Sequence, residues 1–311
     1  MPEAETRPAV LVRSDRLVLI ATPGFSGYRL LDSGGGRKLE RFGRIVVDRP
    51  EPQALWRPAL PDTEWTRADA VFSASAEDEE KGRWRIDRPV PESWPVVGEG
   101  IRMLCRLGGL WHLGLFPEQL PHWHWMLERI AEVRGERARV LNLFAYTGAA
   151  SLIAARAGAE VTHVDASRKA IQWGRDNQAA SGLDVAPIRW LVDDALKFTA
   201  REVRRGRTYH VILVDPPKFG RGPKNETWEL FSHLPQLMDD CARLLAPGPS
   251  ALVLTAYAIR ASALAFAQLA AERLAGRPGT LEAGELALTP EHGSNLVPTS
   301  MYVRWRGEAG R

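Results

Sequence analysis

Cysteine is nearly missing from this chain: Cys105 and Cys241 are the two thiols among 311 residues. Two isolated thiols build neither a disulfide framework nor a metal-ligand pattern, so no metal site is expected and a reducing, cytoplasmic setting is. The first residues, Met1 to Thr6, are acidic and polar and lack the basic and apolar regions of a signal peptide. No uninterrupted apolar run is long enough to span a bilayer. An excess of one charge is lacking too, since 41 basic and 38 acidic residues leave +3. That near balance permits contact with nucleic acid without requiring it. No internal repeat is visible. What remains is an ordinary globular composition, 45% hydrophobic and 25% charged, in a chain long enough for two domains.

Two regions differ in pattern. In the first hundred or so residues, short apolar runs such as Leu17–Ile20 and Ile45–Val47 alternate with turn material at Pro23-Gly24, Asp32–Gly36 and Pro50–Pro52. That spacing predicts short antiparallel strands. The acidic run Glu77–Glu80 reads as a solvated loop. From about Leu120 strands alternate with helices, the signature of a parallel sheet. Strands are expected at 140–144, 160–165, 188–192, 209–214 and 251–255, with two weaker ones near Leu286 and at 302–305 that suit an edge pair. Helices are expected from about Thr147 to Arg156, from an N-cap at Ser167 to about Gly182, and from Trp228 to Leu245. The fold class is therefore α/β, a doubly wound Rossmann-like sheet in residues 106–311, with a smaller β-rich domain in 1–105 suited to substrate recognition.

Three of the expected strands end in an acid: Asp165, Asp194 just past the third, and Asp215. In open α/β sheets the ligand lies outside the carboxyl ends of the strands, where order reverses. A carboxylate there accepts hydrogen bonds from sugar hydroxyls or an exocyclic amine. Each Asp alone suits equally well the cap of a following helix; three at corresponding positions are harder to assign to capping. The first strand–helix turn, Asn142-Leu143-Phe144-Ala145-Tyr146-Thr147-Gly148, carries one glycine and two aromatics rather than G-x-G-x-x-G. That leaves little room for a pyrophosphate and favours a nucleoside cofactor without phosphates.

These motifs, in order with Val164-Asp165-Ala166-Ser167, Asp193-Asp194-Ala195 and Val214-Asp215-Pro216-Pro217-Lys218-Phe219, resemble the class I methyltransferases that modify large-subunit ribosomal RNA. The similar branch is that of bacterial 5-methylcytosine and 7-methylguanine enzymes, and the likeness runs roughly from Leu110 to Thr255. It implies S-adenosyl-L-methionine as cofactor and RNA as partner. It implies that the turn from Asn142 through Phe144, Ala145, Tyr146 and Thr147 to Gly148 cradles the methionine part. Asp165 would hold the ribose, Ala166 would pack on the adenine with Ser167 also among the cofactor-binding residues, and Asp194 would accept from the adenine amine beside the Ala195 amide. Gln119, in Leu115-Phe116-Pro117-Glu118-Gln119, matches a cofactor-proximal segment that in the relatives continues with arginines and here with Leu120-Pro121-His122.

The loop Asp215, Pro216, Pro217, Lys218, Phe219 is the expected reaction floor. Two prolines stiffen it, and Phe219 offers a ring for a planar base. Methyl transfer to a nitrogen chiefly demands positioning. Methylating C5 of a pyrimidine instead needs a nucleophile, usually a thiolate. The relatives place that cysteine after the fifth strand; here the stretch is Leu254-Thr255-Ala256-Tyr257-Ala258, and Cys241 reads as a packing residue. A base nitrogen is the expected acceptor. Seven of the 11 tryptophans fall within the first 125 residues and suit either a small β core or base stacking. Arg201, Arg204, Arg205 and Arg207 suit either phosphates or a helix dipole. A methyltransferase for small molecules or proteins, and a non-catalytic nucleic-acid-binding module, are the competing functions.

Overall fold

The computed structural model describes residues 11–12, 17–74, 82–257 and 259–308. The acidic run at 77–80 and the first six residues lie outside them. In chain order the strands and helices are β1 (Leu11–Val12), β2 (Val18–Thr22), β3 (Tyr28–Gly34), β4 (Arg37–Phe42), β5 (Ile45–Pro50), α1 (Asp62–Trp65), β6 (Ala70–Ala74), β7 (Gly82–Ile86), β8 (Trp94–Gly98) and β9 (Ile101–Cys105). A 3-10 turn at Pro117–Gln119 then leads into α2 (Leu120–Glu132). The alternating part follows as β10 (Arg139–Leu143), α3 (Ala149–Arg156), β11 (Glu160–Asp165), α4 (Arg168–Ala180), β12 (Ile188–Val192), α5 (Ala195–Arg204) and β13 (Val211–Val214). The chain continues through β14 (Phe219–Arg221), β15 (Thr227–Glu229), α6 (Leu230–Leu244), β16 (Ala251–Tyr257), α7 (Ala263–Arg273), β17 (Gly279–Leu288) and β18 (Val297–Gly307).

The large sheet runs β1-β17-β18-β16-β13-β10-β11-β12, with β2 also on β17. From β10 the chain moves outward through β11 to β12, then returns to the other side of β10 with β13. Order therefore reverses between β10 and β13, and their carboxyl ends flank the crevice where such sheets bind ligands. β10, β11, β12, β13 and β16 are parallel. β13 is apolar throughout and β10 is apolar except at Arg139 and Asn142, as strands covered on both faces require. Helices start where the caps predict: the Ser167 hydroxyl accepts from Ala170 N at 3.2 Å, and Asp194 Oδ1 from Lys197 N at 3.0 Å.

Two features differ from the sequence pattern. Leu17–Ile20 do not join the N-terminal sheet: β2 pairs in parallel with β17 of the large sheet, Val18 opposite Gly284. The expected edge pair near 286 and 302–305 is real but internal, since β18 lies between β17 and β16 and β17 is in turn covered by β1 and β2. A β pattern specifies which face is buried and not which sheet supplies the partner. The N-terminal sheet is β3-β4-β5-β6-β7, antiparallel except where β5 meets β6. The β8–β9 hairpin leans on α4, with Trp173 Nε1 donating to Leu104 O at 2.6 Å. Trp94 and Trp123 are core residues. Among the described residues no helix is long and apolar enough to cross a membrane.

Candidate active site

The turn from 142 to 148 folds under strain. Phe144 and Tyr146 adopt φ of 54° and 50°, and Gly148 one of 89°. Bulky residues rarely enter this left-handed region, and strain of this kind gathers at ligand sites. Asp165, from β11, fastens the turn by accepting from Tyr146 N at 2.8 Å, while its other oxygen accepts from Ser167 N at 2.8 Å. Burial pushes its carboxyl up, and those two amides oppose the push. Gly148 has a reason the sequence did not show: a Cβ there would sit 2.8 Å from Trp190 Cη2. The glycine makes room for a packing tryptophan as well as for the turn.

Opposite the turn stands Asp215 at the end of β13. Its Oδ2 accepts from Gln119 Nε2 at 3.2 Å, and the same amide reaches Tyr257 Oη at 2.8 Å. Its Oδ1 is buried without a hydrogen-bond partner among the described residues. Burial, with the nearby Glu118 carboxylate adding to it, pushes the Asp215 carboxyl up to about 8. Burial raises Glu118 as well, and Lys38 opposes that rise. A carboxyl held neutral in a cleft can donate a hydrogen bond, and it becomes a proton acceptor only as it ionises near that pH.

All these groups line one cleft of about 930 Å³. Every residue expected from the sequence borders it except Phe219: Gln119, Asn142, Phe144–Gly148, Asp165–Ser167, Asp194, Ala195 and Asp215–Lys218. Phe219 is 62% exposed. The reason is the β14–β15 pairing, which sets Phe219 opposite Glu229 and Gly220 opposite Trp228. Trp228 takes the inward place, donating from Nε1 to Pro217 O at 2.7 Å and packing 4.8 Å from the Phe144 ring. Lys218 reaches over the exposed Phe219 ring at 5.2 Å.

The cleft also contains groups the sequence reading passed over. Lys38, Arg49 and Glu51 come from the N-terminal sheet and its following turn, Trp111 and His112 from the segment after β9, and Glu118 and Tyr257 flank Asp215. The aromatic density near residue 111 was the one available signal, and core packing was the favoured reading of it. Both cysteines are buried outside the cleft, and burial raises both thiols. His122 accepts at Nδ1 from Arg304 Nε at 2.9 Å while His124 pairs with Glu99, so the two histidines serve different partners. In the arginine cluster, Arg201 pairs with Asp193 and Arg205 with Glu202.

The sequence profile of the S-adenosylmethionine-dependent methyltransferases matches residues 69–275. A SAM-dependent methyltransferase of known structure from Agrobacterium tumefaciens is 45% identical, with a TM-score of 0.91 over 98% of this chain and 97% of that one. Ribosomal RNA large subunit methyltransferase I from Klebsiella pneumoniae is 31% identical over 66% of this chain and 54% of its own. Ribosomal RNA large subunit methyltransferase K/L from Shewanella frigidimarina is 28% identical over 61% of this chain and 26% of its own. The chain thus spans between a quarter and about half of these two curated relatives. It belongs to the S-adenosylmethionine-dependent methyltransferase family.

The donor set fits that cofactor. Both Asp165 oxygens keep a lone pair beyond their amide bonds, and Asp194 spends one oxygen on its cap and leaves the other open. Ala195 begins α5, where the first amides have no intrahelical acceptor. Two acceptors and one donor along one wall match the polar edge of a nucleoside.

Proposed function

We propose that this protein transfers the methyl group of S-adenosylmethionine to a base nitrogen of RNA. The single observation that carries the nitrogen assignment is Asp215: a buried carboxyl with one oxygen unpartnered among the described residues, held by Gln119, stands in a cleft that neither thiol borders. The RNA assignment is supported by the relatives named for ribosomal RNA. Bound S-adenosylmethionine supplies an electrophilic methyl group.

In this reading Asp165 holds the ribose hydroxyls, with Ala166 and Ser167 beside the adenine. Asp194 and the Ala195 amide meet the adenine edge, and Asn142 to Gly148 enclose the methionine part with Gln119 nearby. In its ionised form Asp215 would accept a hydrogen bond from the acceptor amine and take its proton as the N–C bond forms at the expense of the methyl–sulfur bond. Pro216 and Pro217 keep the loop from moving, so positioning is already in place before reaction. Residues 106–311 bind the cofactor, and 1–105 recognise the acceptor while their first strands complete the catalytic sheet. The setting is the cytoplasm.

The test is methyl transfer from labelled cofactor to RNA, protein and small-molecule fractions of a strain lacking the gene. Label should enter RNA and appear, after digestion to nucleosides, on a base nitrogen. RNA carrying 5-fluorocytosine should give no denaturant-stable protein adduct. Label confined to protein or small molecules would replace this reading with another acceptor class.

A further inference from the structure

With Phe219 turned to solvent, the ring expected for a planar acceptor does not border the cleft, yet another wall of the cleft is aromatic. Trp111 and His112 lie 5.5 Å apart between ring centroids, His112 and Phe116 5.2 Å, and Phe116 and Tyr257 5.6 Å. The series therefore runs from Tyr257, which shares the Gln119 amide with Asp215, to the N-terminal sheet, and each of these rings borders the cleft.

The far end of this wall is fixed from the N-terminal sheet. Arg49, on β5, donates from Nη1 to the Trp111 carbonyl at 3.0 Å. Its other nitrogens hold Glu40 at 2.7 and 2.8 Å, and Glu40 also accepts from Tyr28 Oη at 2.8 Å. Lys38 lies 5.5 Å from the Trp111 ring centre. Three residues on, Gly114 O accepts from Thr147 Oγ1 at 2.5 Å, which ties the same segment to the cofactor turn. Trp111 Nε1 is buried with no acceptor among the described residues. Burial, with Arg49 and Lys38 beside it, pulls His112 down to about 3, so the ring is neutral at any physiological pH. Neutral rings and an N–H with no acceptor among the described residues suit a flat heterocycle, while Arg49 and Lys38 behind them are held by Glu40 and Glu51.

We propose that Trp111 and His112, anchored by Arg49, form the platform on which the acceptor base stacks, so that the N-terminal sheet builds part of the catalytic cleft. This rests on the reading that the acceptor is a nucleobase of RNA. Stacking places the base between the platform and Asp215, and Trp111 Nε1–H meets an acceptor on the base edge. The exposed Phe219 then contributes nothing to stacking.

The experiment compares wild type, Trp111→Ala, Trp111→Phe, His112→Ala and Phe219→Ala. Probes are total RNA from a strain lacking the gene, for methyl-transfer kinetics and gel-shift binding, and S-adenosylhomocysteine, for calorimetry. Loss of one stacked base predicts that Trp111→Ala raises the RNA KM by roughly 5- to 150-fold, with weakened gel-shift binding and unchanged S-adenosylhomocysteine affinity. Trp111→Phe, which keeps a ring and loses the N–H, should fall between. If Trp111→Ala fails to fold by circular dichroism, Trp111→Phe and His112→Ala carry the test. An RNA KM that Trp111 and His112 variants leave within twofold, or one raised by Phe219→Ala instead, overturns the platform alone. Wild-type protein that labels no RNA overturns the RNA reading and the platform with it.

Discussion

Gln119 joins two residues that are distant in sequence: its side-chain amide donates to Asp215 Oδ2 at 3.2 Å and to Tyr257 Oη at 2.8 Å. Removing the amide leaves two buried oxygens without a donor, which costs roughly 1–3 kcal/mol for each such group. Gln119→Ala should lower the unfolding midpoint and kcat together. Gln119→Glu adds a third carboxyl beside Glu118 and Asp215 and should lower kcat further than Ala does. Steady-state kinetics on labelled RNA decide it; equal kcat for the two variants would mean that charge at this position does not matter.

The Asp215 carboxyl gives the enzyme a pH signature. Pushed up to about 8, it keeps in the native state a proton that the unfolded chain has already released. Between the usual carboxylate range and about 8 the native state binds more protons, so this group's contribution to stability falls as pH rises. The proton-accepting form grows over the same interval. Single-turnover rates should therefore climb from pH 7 to 9, with a midpoint that belongs to the Asp215–Glu118 pair. Asp215→Asn should abolish the slope and lower the rate by at least about 100-fold, the usual scale of a general base. A flat wild-type profile would remove proton transfer from the role of Asp215.

Asp165 both braces the 142–148 turn and faces the cleft. Asp165→Ala should weaken S-adenosylhomocysteine binding by roughly 1–3 kcal/mol, the cost of unpaired polar partners. Calorimetry on wild type and variant measures this directly. Equal affinities would take Asp165 out of the cofactor site.

Gly148→Ala meets two obstacles, φ of 89° and the Trp190 ring 2.8 Å from the new Cβ. Thermal unfolding should show a loss of about 1–3 kcal/mol, in the range of a strained backbone position. In a Trp190→Leu background the steric part disappears and only the backbone part should remain. A cost identical in both backgrounds would show that Trp190 does not set this position.

The parallel half of the molecule was legible because its signals are local. Strand length, the caps at Ser167 and Asp194, and acids at the ends of β11 and β13 depend on neighbours a few residues away. Parallel pairing then carries those acids to one rim of the sheet. The three-aspartate pattern also held both of its alternative meanings at once: Asp194 caps α5 and borders the cleft, and Asp165 braces a turn and borders the cleft.

The sequence by itself determined the fold class, the family and the residues that border the cleft from the carboxyl ends of the parallel strands. Tertiary structure alone decided what else borders it, from Lys38 and Arg49 to Trp111, His112 and Tyr257. Whether β2 completes the N-terminal sheet or the large one depends on β17, more than 250 residues away, because alternation specifies a buried face and not a partner. Phe219 lost its inward place to Trp228 through the register of a short hairpin, which a one-residue shift would reverse. Arg49 reaches Trp111 across 62 positions, and Gln119 reaches Tyr257 across 138. Such contacts arise only when separate elements pack, and no period or spacing along the chain encodes them.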